Sequence, residues 1–250
     1  MNEEKKEKLM PTFDNVELSI KTWWLNLRKI IDIYLWAVFY AVIPIFIVVL
    51  FYFLIKYFFD IRYESPEIFY LASFIVLAIF LISTYFFIKA YIAFVLLIKN
   101  DFKGDSKELL KSSQEYVWPY IALSLLTIVL LLLWALLLII PAIIFSVFYS
   151  MAYMVLFFEN KKGMAAIRRS KELVKGYFWP VFGRIFLMSI LMTMFLAIIS
   201  WPMNYFSEDS LGFGLINLLV QIISFLIGPI SLFFTYNIYK NLKNIKDVKA

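Results

Sequence analysis

WPYIALSLLTIVLLLLWALLLIIPAIIFSVFYSMAYMVLFFE, residues 118–159, carries no charged side chain until Glu159 at its very end. A soluble helix of that composition would have no solvated face. As one helix the stretch would reach roughly 60 Å, about twice the thickness of a hydrocarbon layer. It therefore reads as two spans joined without a polar loop. Pro141 is the expected turn between them, because a proline tends to end a helix just before itself.

On either side lie four more long apolar stretches. The full set of expected spans is 33–57, 67–90, 118–140, 141–159, 178–201 and 211–238. The 250-residue chain is 63% hydrophobic and 20% aromatic, with 27 Phe and 16 Tyr. A soluble domain would be about half apolar. The excess needs an apolar solvent. The fold class read from this is all-α: a polytopic membrane protein with six transmembrane helices arranged as three hairpins, and short cytoplasmic interfacial helices between them. The chain is expected to form one integral membrane domain over 1–250. Within it, 1–31 is a cytoplasmic or interfacial segment, and 32–100, 101–160 and 161–242 are the hairpins. The first thirty residues are charged and lack a short apolar core with a small-residue cleavage site. The first span is expected to act as an uncleaved signal anchor.

Charge orients the bundle. Apart from Lys56, Arg62 and Lys89, all of the 24 basic residues fall in four groups. These are the N-terminal segment, the second-to-third and fourth-to-fifth connections with Arg184 just beyond, and the tail. The opposite connections hold Arg62 beside Asp60, Glu64, Glu67, Glu208 and Asp209. The excess of Lys and Arg on short inner loops places both termini in the cytoplasm. The expected location is a prokaryotic cytoplasmic membrane. The net charge of +6 is then a membrane-edge property, and nucleic acid is not an expected partner.

A parallel internal repeat is visible. Ser106-Lys107-Glu108-Leu109-Leu110-Lys111 resembles Ser170-Lys171-Glu172-Leu173-Val174-Lys175. Each is followed by a Trp-Pro pair, Trp118-Pro119 and Trp179-Pro180, and each pair by another proline at the same interval, Pro141 and Pro202. A fainter third copy covers 15–31. There Val16, Ile20, Trp23, Leu27, Ile30 and Ile31 share a helical face suited to lying on the inner leaflet. Asp14 with Glu17, and Asp105 with Glu108, are spaced as capping pairs.

Histidine and cysteine are absent, which removes imidazole bases, thiolate nucleophiles and Cys/His metal sites. No carboxylate pair converges within a span, and no glycine-rich phosphate loop follows a strand. No catalytic residue, metal ligand or cofactor is expected, and the chain reads as a non-enzyme. Two weaker candidate sites remain. Arg168, Arg169, Lys171 and Lys175 form a basic surface beside the membrane. The plain reading is anchoring and topology control; the functional one is contact with anionic lipid or phosphate, for which guanidinium groups are suited. Asp32, Lys89, Gln221 and Asn237 are the candidate polar site at membrane depth. Lys89 either snorkels or pairs with Asp32, or belongs to a transport site. Gly228-Pro229 interrupts the last span, for packing or to shape a cavity.

Residues 165–179, AAIRRSKELVKGYFW, and the ending from Pro229 through Tyr239-Lys240-Asn241-Leu242 resemble segments of uncharacterised bacterial and archaeal multi-span proteins. These include the membrane domain attached to some glycerophosphodiester phosphodiesterases. The likeness covers residues 100–240. It implies a six-helix membrane domain and a link to lipid. It does not imply phosphodiesterase activity, which belongs to a separate soluble domain whose histidines this chain lacks. The leading expectation is a scaffold or a lipid- or partner-binding module. Its partners would be membrane lipids, anionic at the cytoplasmic face, or another membrane protein. The alternative is a small transporter or lipid exporter with a cavity between the hairpins.

Overall fold

A computed structural model describes residues 9–40, 66–208 and 210–247. Every regular element among them is helical. In chain order these are α1 (Thr12–Leu25), α2 (27–40), α3 (Pro66–Lys99), α4 (Ser106–Ser112), α5 (Gln114–Leu137), α6 (Ile139–Tyr149), α7 (Ala152–Glu159), α8 (Met164–Val174), α9 (Phe178–Ser200), a 3-10 turn (Trp201–Tyr205) and α10 (Leu211–Asp247). Among the described residues, five runs are long and apolar enough to cross a membrane: Leu77–Lys99, Gln114–Leu137, Ile139–Glu159, Phe178–Tyr205 and Leu211–Asp247. The chain is a polytopic all-α membrane protein. Most of the first expected span, 33–57, lies outside the described residues.

The exposure pattern fits a hydrocarbon solvent. Leu136 is 83% exposed, Ile198 71% and Leu211 81%. α9 buries only Val181 and Met188 among its 23 residues. Apolar surface on this scale is stable only where lipid tails replace water.

The chain divides into two compact units, Arg28–Val117, and Met1–Leu27 together with Trp118–Ala250. In the first, the end of α3 is enclosed on every side, with Ile92 through Ile98 all buried. Tyr34 of α2 meets Phe94 edge-on at 4.6 Å, and Tyr40 stacks on Phe86 at 5.2 Å. Beyond α3, Asp101, Phe102 and Gly104 take positive φ. They turn the chain so that α4 folds against α3. Lys29 donates to the Phe102 carbonyl and ties this corner to α2.

In the second unit the break between α5 and α6 falls at Leu138, in extended conformation (φ −166°, ψ 147°). The turn expected at Pro141 is therefore three residues earlier. Pro141 sits in the first turn of α6, where a missing N–H removes no helical bond. Trp134 stacks on Phe145 at 4.0 Å, and Tyr120 lies against Tyr153 and Phe157. These pairs run in opposite order along the two helices, so α6 and α7 return antiparallel to α5. The expected span 141–159 is interrupted once more, at Ser150 and Met151.

The sequence reading of 15–31 as one amphipathic helix needs correction. The helix runs from Thr12 to Leu25 and stops at Asn26 (φ −110°, ψ 11°). Its buried residues are Asn15 and Ser19, while Ile20 is exposed. The reason is hydrogen bonding to α10. Asn15 Nδ2 donates to the Phe234 carbonyl (3.3 Å), Asn237 Nδ2 donates to Ser19 Oγ (3.3 Å), and Trp23 Nε1 donates to the Leu226 carbonyl (2.8 Å). With water scarce, polar groups pair across helices and leave the apolar Phe13, Ile20 and Trp24 outside. Neither expected capping pair forms a side-chain cap. Pro11 holds the N-cap position of α1, and Asp105 caps α4 in extended conformation without a side-chain bond.

Candidate functional site

The basic segment is built by α8. Asn160 ends α7 in the left-handed region, and Gly163 opens α8 at φ 53°, ψ −130°. The Gly163 conformation is closed to side chains with a Cβ. This tight reversal lays α8 against α6, α7 and α10. Ala166, Ile167, Ser170, Leu173 and Val174 are buried. Arg168, Lys171 and Lys175 are exposed. Lys171 Nζ lies 5.5 Å from the centre of the Phe145 ring, within range for a cation–π contact.

Arg169 does not share that surface. Its Nε donates to Glu159 Oε2 at 3.1 Å and its Nη2 to Asp247 Oδ1 at 2.8 Å. Glu172 lies 3.7 Å away. Tyr239 donates its hydroxyl to the other Glu159 oxygen at 3.1 Å, and Lys161 approaches Glu159 at 3.5 Å. Burial works against the Arg169 charge, but the bonds to Asp247 and Glu159 outweigh it, so its proton is held more firmly than that of a free arginine. The cluster ties together the end of α7, the middle of α8 and the end of α10.

One residue further along the chain, Ser170 repairs the α6–α7 break. Its hydroxyl donates to the Phe148 carbonyl (2.7 Å) and accepts from the Met151 N–H (3.1 Å). A buried backbone donor without a partner would cost free energy comparable to a lost hydrogen bond, so the interruption depends on α8 being docked. Nearby, Lys246 donates to the Lys175 carbonyl at 2.9 Å. Arg184 of α9 donates to the carbonyls of Leu9, Met10 and Pro180, which fastens the segment before α1 to α9.

The candidate membrane-depth residues fall in both units, Asp32 and Lys89 in one and Gln221 and Asn237 in the other. Asp32 and Lys89 form no ion pair with each other among the described residues; Lys89 Nζ sits 5.7 Å and 5.9 Å from the Tyr85 and Phe86 ring centres. Gln221 is exposed and donates to Asn217 Oδ1 on its own helix (3.0 Å). Asn237 packs toward α1 and accepts at its carbonyl from Asn241. It stands about 24 Å along α10 from Gln221. Tyrosine hydroxyls bond across helices in the second unit: Tyr153 donates to Ser124 (3.3 Å), and Tyr149 accepts from Trp134 Nε1 (3.4 Å).

Among the described residues no group of three or more Asp, Glu, His or Cys is arranged to hold a metal ion. The sequence reading missed Glu159, Asp247, Tyr239 and the role of Ser170. The one signal for them was Glu159 itself, an acid ending a long uncharged run. No family model, curated protein or solved structure matches this chain.

Proposed function

We propose that the protein is a non-enzymatic membrane scaffold that holds anionic lipid headgroups at its cytoplasmic face through Arg168, Lys171 and Lys175. The observation that carries this reading is the division of labour on α8. One face is buried in the bundle and locked by Arg169 and Ser170, and the other leaves three cations exposed. Trp179, 74% exposed just after them, suits headgroup depth. Arg169 has carboxylate partners and drops out of the lipid contact.

Six spans in three hairpins, with both termini and all basic connections inside, complete the proposal. The parallel repeat is part of it. Ser106, Leu109 and Leu110 are buried in α4, as are Ser170, Leu173 and Val174 at the matching positions of α8. Lys107 lies 4.3 Å from the Trp36 ring centre, as its counterpart Lys171 lies over Phe145. Trp118 and Trp179 are 76% and 74% exposed. From the resemblance to membrane domains joined to glycerophosphodiester phosphodiesterases the proposal keeps the architecture and the link to lipid, and no catalysis.

The test is thermal stability of the purified protein in neutral detergent, titrated with phosphatidylglycerol or phosphatidylcholine. Each basic residue near an anionic surface is worth about 1 kcal/mol. Phosphatidylglycerol should stabilise the protein more than phosphatidylcholine. Arg168→Gln with Lys171→Gln and Lys175→Gln should remove most of that preference while leaving the lipid-free melting temperature nearly unchanged. An unaltered preference in the triple variant removes these residues from the site.

A further inference from the structure

The last span carries amides where hydrocarbon offers them nothing. Gly214, Asn217, Gln221 and Ser224 recur at intervals of three, four and three residues along α10, so they lie in one stripe. Gly214 and Gln221 are exposed and Asn217 is half-buried. A Cβ placed on Gly214 would meet no atom within 4 Å. The Ser224 hydroxyl is spent within the helix on the Val220 carbonyl (2.6 Å). Gln221 Nε2 donates to Asn217 Oδ1 (3.0 Å). That leaves Asn217 Nδ2 as a donor and Gln221 Oε1 as an acceptor, neither with a partner among the described residues. The pair stands about 9–15 Å along the axis from Leu211, where the membrane-length apolar helix begins. A different face of the same turns carries Leu215, Leu219 and Ile222, all at least half exposed and suited to lipid tails.

We propose that this stripe is the contact surface for a second copy of the chain. The argument is hydrogen-bond complementarity. One donor and one acceptor are left over on each copy, and a two-fold axis along the membrane normal brings each copy's donor to the other's acceptor. Lipid tails can satisfy neither. Alternating three- and four-residue spacing is the geometry of helices crossing at about +20°, and Gly214 lets the two backbones approach. The interface pairs identical faces and closes at two subunits.

The natural chain has no cysteine, so single-cysteine variants of the full-length protein give a direct test in native membranes. Gly214→Cys and Ser224→Cys are compared under mild oxidation with Leu215→Cys and Leu219→Cys. The expected result is disulfide-linked dimer at 214 and 224, and little at 215 and 219. Adding Asn217→Leu and Gln221→Leu to Ser224→Cys should lower dimer yield about tenfold, in keeping with ~1–2 kcal/mol for interhelical amide bonds. Leucine is well accepted in a span, and an unchanged helical circular dichroism spectrum in detergent confirms folding. Equal cross-linking on both faces, dimer yield unaffected by the leucine pair, or no dimer at any position overturns the proposal. Modification at 224 by a water-soluble maleimide without dimer overturns it too and points to a hydrated passage.

Discussion

Two neighbouring side chains on α8, Arg169 and Ser170, do different structural work from the cations around them. Arg169 joins Glu159 and Asp247, which lie 10 and 78 positions away in the chain. No local spacing announces such a cluster, so the sequence presented Arg169 as one more member of a basic patch. Partial exposure tempers the value of the pairs, but removing the cation strands two carboxylates around a buried tyrosine. Arg169→Gln should lower stability by about 2 kcal/mol. Arg169→Lys should recover only part of that, because a compact ammonium lacks the separated, planar Nε and Nη2 donors that reach Glu159 and Asp247 together. Thermal unfolding in detergent checks both. Ser170→Ala should cost about 1–3 kcal/mol by leaving the Met151 N–H unpartnered. Its signature is local: faster amide exchange at Met151, with α9 amides unchanged. A uniform loss of protection would instead mark Ser170 as a packing residue. Its place in a repeated hexamer was legible, but its bonds across the α6–α7 break were not, because the break exists only in the folded bundle.

At the level of elements, the existence of the long apolar helices followed from composition, while their ends followed from packing. Pro141 was the natural place to break residues 118–159, yet a proline fits the start of a helix as well as the end of its predecessor. The actual break at Leu138 has no distinctive residue. α1 makes a related point. Its apolar stripe suited the inner leaflet, but nothing in the sequence showed that Asn15, Ser19 and Trp23 would dock it by meeting carbonyls and amides of α10. Trp23→Phe keeps the ring and loses the N–H. It should weaken α1 docking by about 1 kcal/mol, read as roughly fivefold faster amide exchange over residues 12–25, with α7 unaffected. Equal protection in the variant would mean that ring packing, not the bond to Leu226, holds α1.

For the molecule as a whole, one physical fact dominates: the apolar surface of α5, α9 and α10 requires hydrocarbon around it. That much was readable from residues 118–159 alone. The proposed orientation rests on the segregation of Lys and Arg, which is a whole-chain pattern and owes nothing to any one contact. Single cysteines introduced into the cysteine-free chain measure it directly. With a membrane-impermeant maleimide on intact cells, Glu208→Cys should label at once. Lys103→Cys, Lys162→Cys and Lys243→Cys should label only after the membrane is opened. Labelling of the Lys162 or Lys243 variant in intact cells, or of all four alike, would contradict the account.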